Sequence, residues 1–176
     1  MANRQALRDL QSRLAERLQA ARTEGVAASW LAVQCGSVGY LLPLEQSGEI
    51  FPWASLQAVP YTQRWFLGVA NLRGGLFGVI DLPSFVGRSS DFSRREPVRP
   101  ESRLVALNAG LGINCAVLVD QLLGLRAAQA FPQVEAPDAE APGYFGNVYT
   151  DASGRQWQEV NLQQLAAQPE FLAIGS

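Results

Sequence analysis

Apolar residues recur at two different periods along this chain, and the change between them falls at Gly25. Before it, Leu7, Leu10, Leu14 and Leu18 follow one another at spacings of three, four and four, with Ala21 continuing the line. At about 100° per residue these positions share one narrow arc, so residues 3–22 are predicted to form an amphipathic helix. Asp9 and Arg13 add an i,i+4 pair in the favourable order on its wet side, and Gly25 supplies a stop. The stripe packs either on the chain's own domain or on a partner, and residues 1–25 form a separate N-terminal element.

After Gly25 the period becomes two. Leu31, Val33 and Cys35 alternate with Trp30, Ala32 and Gln34; Gly36 to Gly39 mark a turn, and a second apolar run starts at Tyr40. That reads as a β-hairpin. The passage FLGVANLRGGLFGVIDL, residues 66–82, predicts two more strands around an Asn-Leu-Arg-Gly-Gly turn, with a short element from Pro83 to Val86. Residues 88–102, RSSDFSRREPVRPES, are charged and carry two prolines, the composition of an exposed connection. Strand patterning restarts with RLVALNAGLGINCAVLVDQLLGL, where Ile113, Cys115, Val117 and Val119 share one face. An acidic loop, EAPDAEAPG, precedes a last strand pair around YTDASGRQW, and VNLQQLAAQPEFLAI closes the chain.

This order contains an internal repeat. Shifted by 73 residues, Ser29, Leu31 and Gly39 fall on Ser102, Leu104 and Gly112, with Tyr40 on Ile113 and Leu44 on Val117. Further along, Phe66-Leu67-Gly68 corresponds to Tyr144-Phe145-Gly146, and Val79-Ile80-Asp81-Leu82 to Glu159-Val160-Asn161-Leu162. Each half reads hairpin, loop, second hairpin, helical turn. The prediction is a mainly β chain of two small antiparallel β-barrel subdomains, about 28–87 and about 103–166, with residues 167–176 as a C-terminal tail. A half of roughly 70 residues is marginal alone, so a shared apolar joint is expected.

Composition narrows the chemistry. The chain has 176 residues, 48% hydrophobic and 17% charged, so it can bury a real core and keep apolar surface for partners. Its net charge of −2 creates no field that gathers nucleic acid or an anionic membrane. All 14 basic residues are arginine, which excludes a Ser-His-Asp triad, a His metal site, a phosphorylated His, a Schiff-base Lys and a phosphate-loop Lys. Cys35 and Cys115 sit in apolar strand runs and are expected to be buried free thiols. No apolar leader and no run of 18 apolar residues occurs, so neither a signal peptide nor membrane insertion is expected, and a cytoplasmic location is.

One residue resists the strand reading: Arg73, in the middle of an apolar passage. Gly74 and Gly75 can take positive φ and Asn71 can bond nearby backbone, which accounts for a tight turn. In the second half the matching turn, Thr150-Asp151-Ala152-Ser153-Gly154, does without an arginine. Arg73 therefore either reaches a carboxylate or carbonyls on another surface or pairs internally with Asp81 or Glu49.

The stretch VPYTQRWFLGVANLRGGLFGVIDLPSFVG, residues 59–87, resembles the signature of the CheW family, adaptor proteins of bacterial chemosensory arrays. The spacing from Gly68 through Asn71-Leu72-Arg73-Gly74 to Ile80-Asp81-Leu82 is that family's, and the upstream SGEI and downstream VLVDQLLGL also fit. The wording RWFLGVANLRG and the N-terminal helix are most similar to the branch serving type IV pilus systems, the PilI-like adaptors. The resemblance implies two five-stranded barrels around an apolar joint, no catalytic residues, no cofactor and no metal. It implies a scaffold that couples the cytoplasmic tip of a methyl-accepting chemoreceptor to a CheA-type histidine kinase, recruited to inner-membrane receptor arrays. Carried over by position, the receptor-binding residues are Ser47, Gly68, Asn71, Leu72 and Arg73. Ser47 stands where the family usually has an aliphatic residue, and Pro43 is unusual in the same region. Exposed aromatics near Trp53, Trp65 and Phe66 are candidates for a barrel-to-barrel contact.

Two other classes fit less well. An enzyme would rest on Glu45, Glu49, Asp81 and Asp120, which form no paired motif. A small-barrel module for nucleic acid or peptide needs, for nucleic acid, a basic face. After residue 103 the chain offers Arg126 and Arg155 against seven acids.

Overall fold

The computed structural model describes residues 28–87 and 98–176, together with Ser12. The amphipathic helix of residues 3–22 lies outside the described residues, as does most of the charged connection after Gly87. Eleven strands are described: β1 Trp30–Cys35, β2 Val38–Pro43, β3 Ser47–Pro52, β4 Phe66–Leu72, β5 Gly75–Ile80, β6 Arg103–Leu107, β7 Cys115–Val119, β8 Gln121–Arg126, β9 Gln133–Glu135, β10 Phe145–Thr150 and β11 Gln156–Val160. Among the described residues three short α-helices accompany them: α1 Leu82–Gly87, α2 Leu162–Ala166 and α3 Pro169–Leu172.

The hairpins read from the sequence form as expected, but the sheets do not follow the halves of the chain. A six-stranded sheet runs β8-β1-β2-β11-β10-β9 and a five-stranded one β3-β6-β7-β5-β4. Each sheet thus joins the opening hairpin of one half to the closing hairpin of the other. The joins are the parallel pairs β2 with β11 and β5 with β7; every other strand pairing is antiparallel. The division at 28–87 and 103–166 marks repeated chain, whereas each sheet takes strands from both segments. The sixth strand, β9, comes from the edge of the acidic loop, and its counterpart beside β4 is a single bridge from Gln57 to Val69.

Strand register also corrects the repeat. The 73-residue shift places Leu31 on Leu104, yet Leu31 faces the joint between the sheets and Leu104 the interior of the five-stranded sheet. A bulge lies between Leu31 and Val33 where β1 meets β8, and between Val105 and Leu107 where β6 meets β3. Leu31 and Val33 therefore correspond to Val105 and Leu107. An offset of one residue exchanges the faces of a strand. In the closing hairpins Phe66 pairs with Ile80 and Phe145 with Val160, so Phe66 matches Phe145 and not Tyr144. The match of Val79–Leu82 to 159–162 holds: the Asp81 N–H donates to the Trp65 carbonyl and the Asn161 N–H to that of Tyr144, both at 2.8 Å.

The expected apolar joint is the largest core. Leu31, Val33, Cys35, Tyr40 and Leu42 from one sheet meet Ile80, Val105, Leu107, Cys115, Val117 and Val119 from the other. The alternate residues of these strands fill the two sheet interiors, Trp30, Ala32 and Leu41 in one, Leu104, Ala106, Ala116 and Leu118 in the other. Burial on both faces explains why the strands read as nearly continuous apolar runs. Both cysteines are buried thiols outside any disulfide, as their setting predicted.

Residues 167–176 are more than a tail. Phe171, 2% exposed, stacks on Trp65 at 5.5 Å and 12° and meets Phe85 edge-on at 5.4 Å. Beyond it the Ile174 carbonyl accepts from the Gln63 N–H at 2.7 Å, and the Ser176 N–H donates to the Tyr61 carbonyl at 2.9 Å. The chain end is clasped to the segment leading into β4.

Candidate functional site

The hairpin between β4 and β5 closes on two residues, Arg73 and Gly74, because Leu72 pairs with Gly75. Both have positive φ, 50° and 81°, as a type I′ turn requires. Gly74 and Arg73, not Gly75, take the left-handed positions. The Asn71 side-chain oxygen accepts from the Gly74 N–H at 2.9 Å and fixes the turn from one side. Asn, Asp or Gly is favoured at the first turn position; an arginine there is held against its backbone preference.

The turn's tip curls over to β3, the opposite edge strand of the same sheet. Arg73 Nη1 lies 2.5 Å from Glu49 Oε1, with the two side chains 77% and 44% exposed. Its guanidinium carbon stands 5.9 Å from the Phe51 ring centroid, and Phe51 packs on Phe77 of β5 at 6.0 Å. Of the two internal partners open to Arg73, Glu49 takes it. Asp81 is buried and accepts from the Ser84 hydroxyl at 2.6 Å at the start of α1. An ion pair this open is worth little, about 0–1 kcal/mol, and leaves the guanidinium available to a partner.

The other carried-over residues divide by role. Leu72 is 5% exposed in the interior of the five-stranded sheet, so it shapes the turn without offering surface. Gly68 sits at the β4 bulge with φ 137°, and a Cβ there would run into the backbone of Gln57. Its absence of side chain lets Gln57 exchange hydrogen bonds with Val69 at 2.8 and 2.9 Å and cover the edge of β4. Ser47 opens β3 two residues before Glu49, its hydroxyl donating to the Pro43 carbonyl at 2.9 Å. The fold thus brings the SGEI stretch to the Asn-Leu-Arg-Gly turn, with Asn71 and Arg73 at its surface.

Beside this hairpin is an apolar groove of about 270 Å³, walled by Trp65, Phe66 and Leu76 on one side and by Phe171, Leu172 and Ile174 of the clasped chain end on the other. Leu76 and Leu172 are 63% and 58% exposed. Neither was expected as surface: at Leu76 a strand's alternation marks two faces without saying which is covered, and Leu172 ends the short helix α3. Cys115 also lines the groove, and burial pushes its thiol up to about 12, so it is no nucleophile. Of the aromatic contact candidates, Trp65 and Phe66 pack partly into the joint, while Trp53 is 36% exposed. Among the described residues no cluster of three Cys, Asp or Glu side chains could hold a metal ion, and no helix is long and apolar enough to cross a membrane.

A family model described as CheW-like domain matches residues 29–170. Protein PilI of Pseudomonas aeruginosa is 28% identical over 120 residues, which cover 68% of this chain and 62% of that protein. The chain therefore aligns with less than two thirds of that relative's length. Among solved structures, the scaffolding protein TtCheW from Thermoanaerobacter tengcongensis has a similar fold, with a TM-score of 0.60 at 18% identity over 74% of this chain and 86% of that one.

Proposed function

The chain belongs to the CheW-like domain family, and we propose that it is a non-catalytic scaffold coupling the cytoplasmic tip of a chemoreceptor to a CheA-type histidine kinase. The likeness to PilI favours a chemosensory system that drives type IV pili and twitching motility. Recruitment to receptor arrays at the inner membrane follows from that role.

The observation that carries the reading is the Arg73 turn. A turn closed by Gly, Asn or Asp would be easier to make, yet an arginine occupies it, exposed, with a surface carboxylate and an aromatic ring as its contacts among the described residues. Strain at an exposed, charged position favours recognition over stability. A receptor helix would present a carboxylate or carbonyls to Arg73 and an apolar stripe to the groove between β4–β5 and the chain end.

Co-precipitation with a receptor signalling tip tests this, with folding followed separately by circular dichroism. Arg73→Glu is expected to keep the fold and lose most of the captured receptor fragment. Unchanged capture would remove Arg73 from the receptor face, and an unfolded variant would assign the residue to internal pairing.

A further inference from the structure

Among the described residues two non-glycine residues have positive φ: Arg73, and Tyr61 at 58°. A bulky aromatic residue in the left-handed region is an outlier that its surroundings have to enforce. Tyr61 stands third in the turn Val59-Pro60-Tyr61-Thr62, across which the Thr62 hydroxyl donates to the Val59 carbonyl at 2.9 Å. Proline second and a left-handed residue third is the order of a type II turn, where glycine or asparagine is favoured in the third place. The clasp to the chain end enforces it here. The Ser176 N–H donates to the Tyr61 carbonyl at 2.9 Å, and the Gln63 side-chain amide donates to the Gly175 carbonyl at 3.0 Å. The side chain gains little burial in return, since Tyr61 is 86% exposed.

We propose that Tyr61 is a second recognition residue of the receptor-binding face, an aromatic anchor for the same helix that Arg73 meets; the inference rests on the receptor reading given above. Continuity with the groove supports it. Trp65 and Ile174 both line that groove, the first on the segment that Tyr61 opens and the second on the chain end clasped to Tyr61. The groove follows the β4–β5 hairpin, from Trp65 and Phe66 to Leu76, whose pairing partner is Asn71 beside the Arg73 turn. The segment carrying Tyr61 runs antiparallel to β4 from Gln57, opposite Val69, and so reaches past the start of that strand. Two strained and exposed residues therefore stand at opposite ends of β4. From Phe66 to Leu72 the strand spans about 20 Å, the length of a helix of roughly thirteen residues. A partner helix laid along the hairpin would meet an aromatic ring near one end and a guanidinium near the other. Tyrosine and arginine are the residue types that most often dominate interface energetics, and a tyrosine ring gives large contact area at low cost in conformational freedom.

Titration calorimetry with a helical fragment of a receptor signalling tip tests this on Tyr61→Gly, Tyr61→Phe and Arg73→Glu beside the unaltered chain, with urea unfolding run on each. Tyr61→Gly removes the ring and relieves the backbone, so affinity is expected to fall at least about tenfold while the unfolding midpoint holds level or rises. Tyr61→Phe keeps the ring and the strain, and is expected to bind within roughly threefold of the unaltered chain. Normal binding by Tyr61→Gly overturns the inference. If Arg73→Glu loses affinity in that same experiment the receptor face survives without Tyr61, and if it too binds normally both readings fail together. A clear drop in the unfolding midpoint of Tyr61→Gly overturns the inference as well, by assigning the residue to the clasp, and so does a Tyr61→Phe chain that binds as weakly as Tyr61→Gly.

Discussion

Arg73→Asn separates what the residue does for the fold from what it does for a partner. A non-glycine residue in the left-handed region costs roughly 1–2 kcal/mol, and asparagine is among the residues that visit it most readily. Replacing Arg73, at φ 50°, therefore relieves most of that strain. Against this relief stand two losses. The Glu49 pair, with both side chains well exposed, contributes about 0.2–1 kcal/mol, and the guanidinium over Phe51 contributes about 0.5–1 kcal/mol. The terms nearly cancel, so the unfolding free energy is expected to move by less than about 1 kcal/mol in either direction.

On the proposed receptor role, binding has no such compensation. A hydrogen bond to a charged group contributes about 1.5–3 kcal/mol, so its loss weakens binding by at least about tenfold. Urea unfolding at neutral pH reads the first quantity, and titration calorimetry with a receptor tip fragment reads the second. A stable protein with intact affinity would refute the receptor role. A loss of more than about 2 kcal/mol in stability would show that the contacts to Glu49 and Phe51 are the reason for the arginine.

Three further perturbations test the surrounding structure. Gly68→Ala should lose at least about 2 kcal/mol in urea unfolding, since φ 137° and the Gln57 backbone both oppose a Cβ. Phe171→Ala should lose about 3–5 kcal/mol by the same measurement, because a ring 2% exposed and stacked on Trp65 is removed; a loss under 1 kcal/mol would make the chain end the loose tail its sequence suggested. Cys115 should resist a thiol reagent until the protein unfolds. Burial raises its pKa from 9.0 to about 12, so both states hold the proton below pH 9, and above it the unfolded chain releases the proton first. Stability should then fall between about pH 9 and about 12, with a shallower slope in Cys115→Ala.

The strands, their turns and the joint could be read from the sequence because each is written locally. Alternation at Leu31, Val33 and Cys35 marks a joint face, and the same residues do form it. Pairing partners are not written that way. Nothing in the period of β2 says that its neighbour is β11 rather than a strand of its own half, and an ungapped repeat off by one residue inverts the face of Leu104. The left-handed position of Arg73 was hidden by the two glycines after it, which seemed to supply all the positive φ the turn needed. Glu49 was one of two internal partners open to Arg73; the structure selects it because the sheet curls its edge strands together, a long-range consequence of core packing around Phe51 and Phe77. Phe171, in a segment read as a C-terminal tail, gave no signal of the aromatic stack it completes.

The exchange of hairpins bears directly on how a scaffold works. Two barrels joined by a linker would swing relative to one another, since interfaces between domains of one chain are usually small and polar. Here β2 is hydrogen-bonded to β11 and β5 to β7, so each sheet holds chain from both halves, and separating the halves of the chain would tear hairpins out of registered ladders, while the two sheets meet through the side chains of the joint. The joint is also apolar and fully buried at Val33, Val105 and Val117. The two halves of the chain are therefore interlocked, and the Arg73 turn belongs to a sheet packed against the other across that joint. On the proposed scaffold role, a partner seated at the turn meets interlocked halves rather than two barrels on a linker, which suits a protein that holds two others at a set orientation.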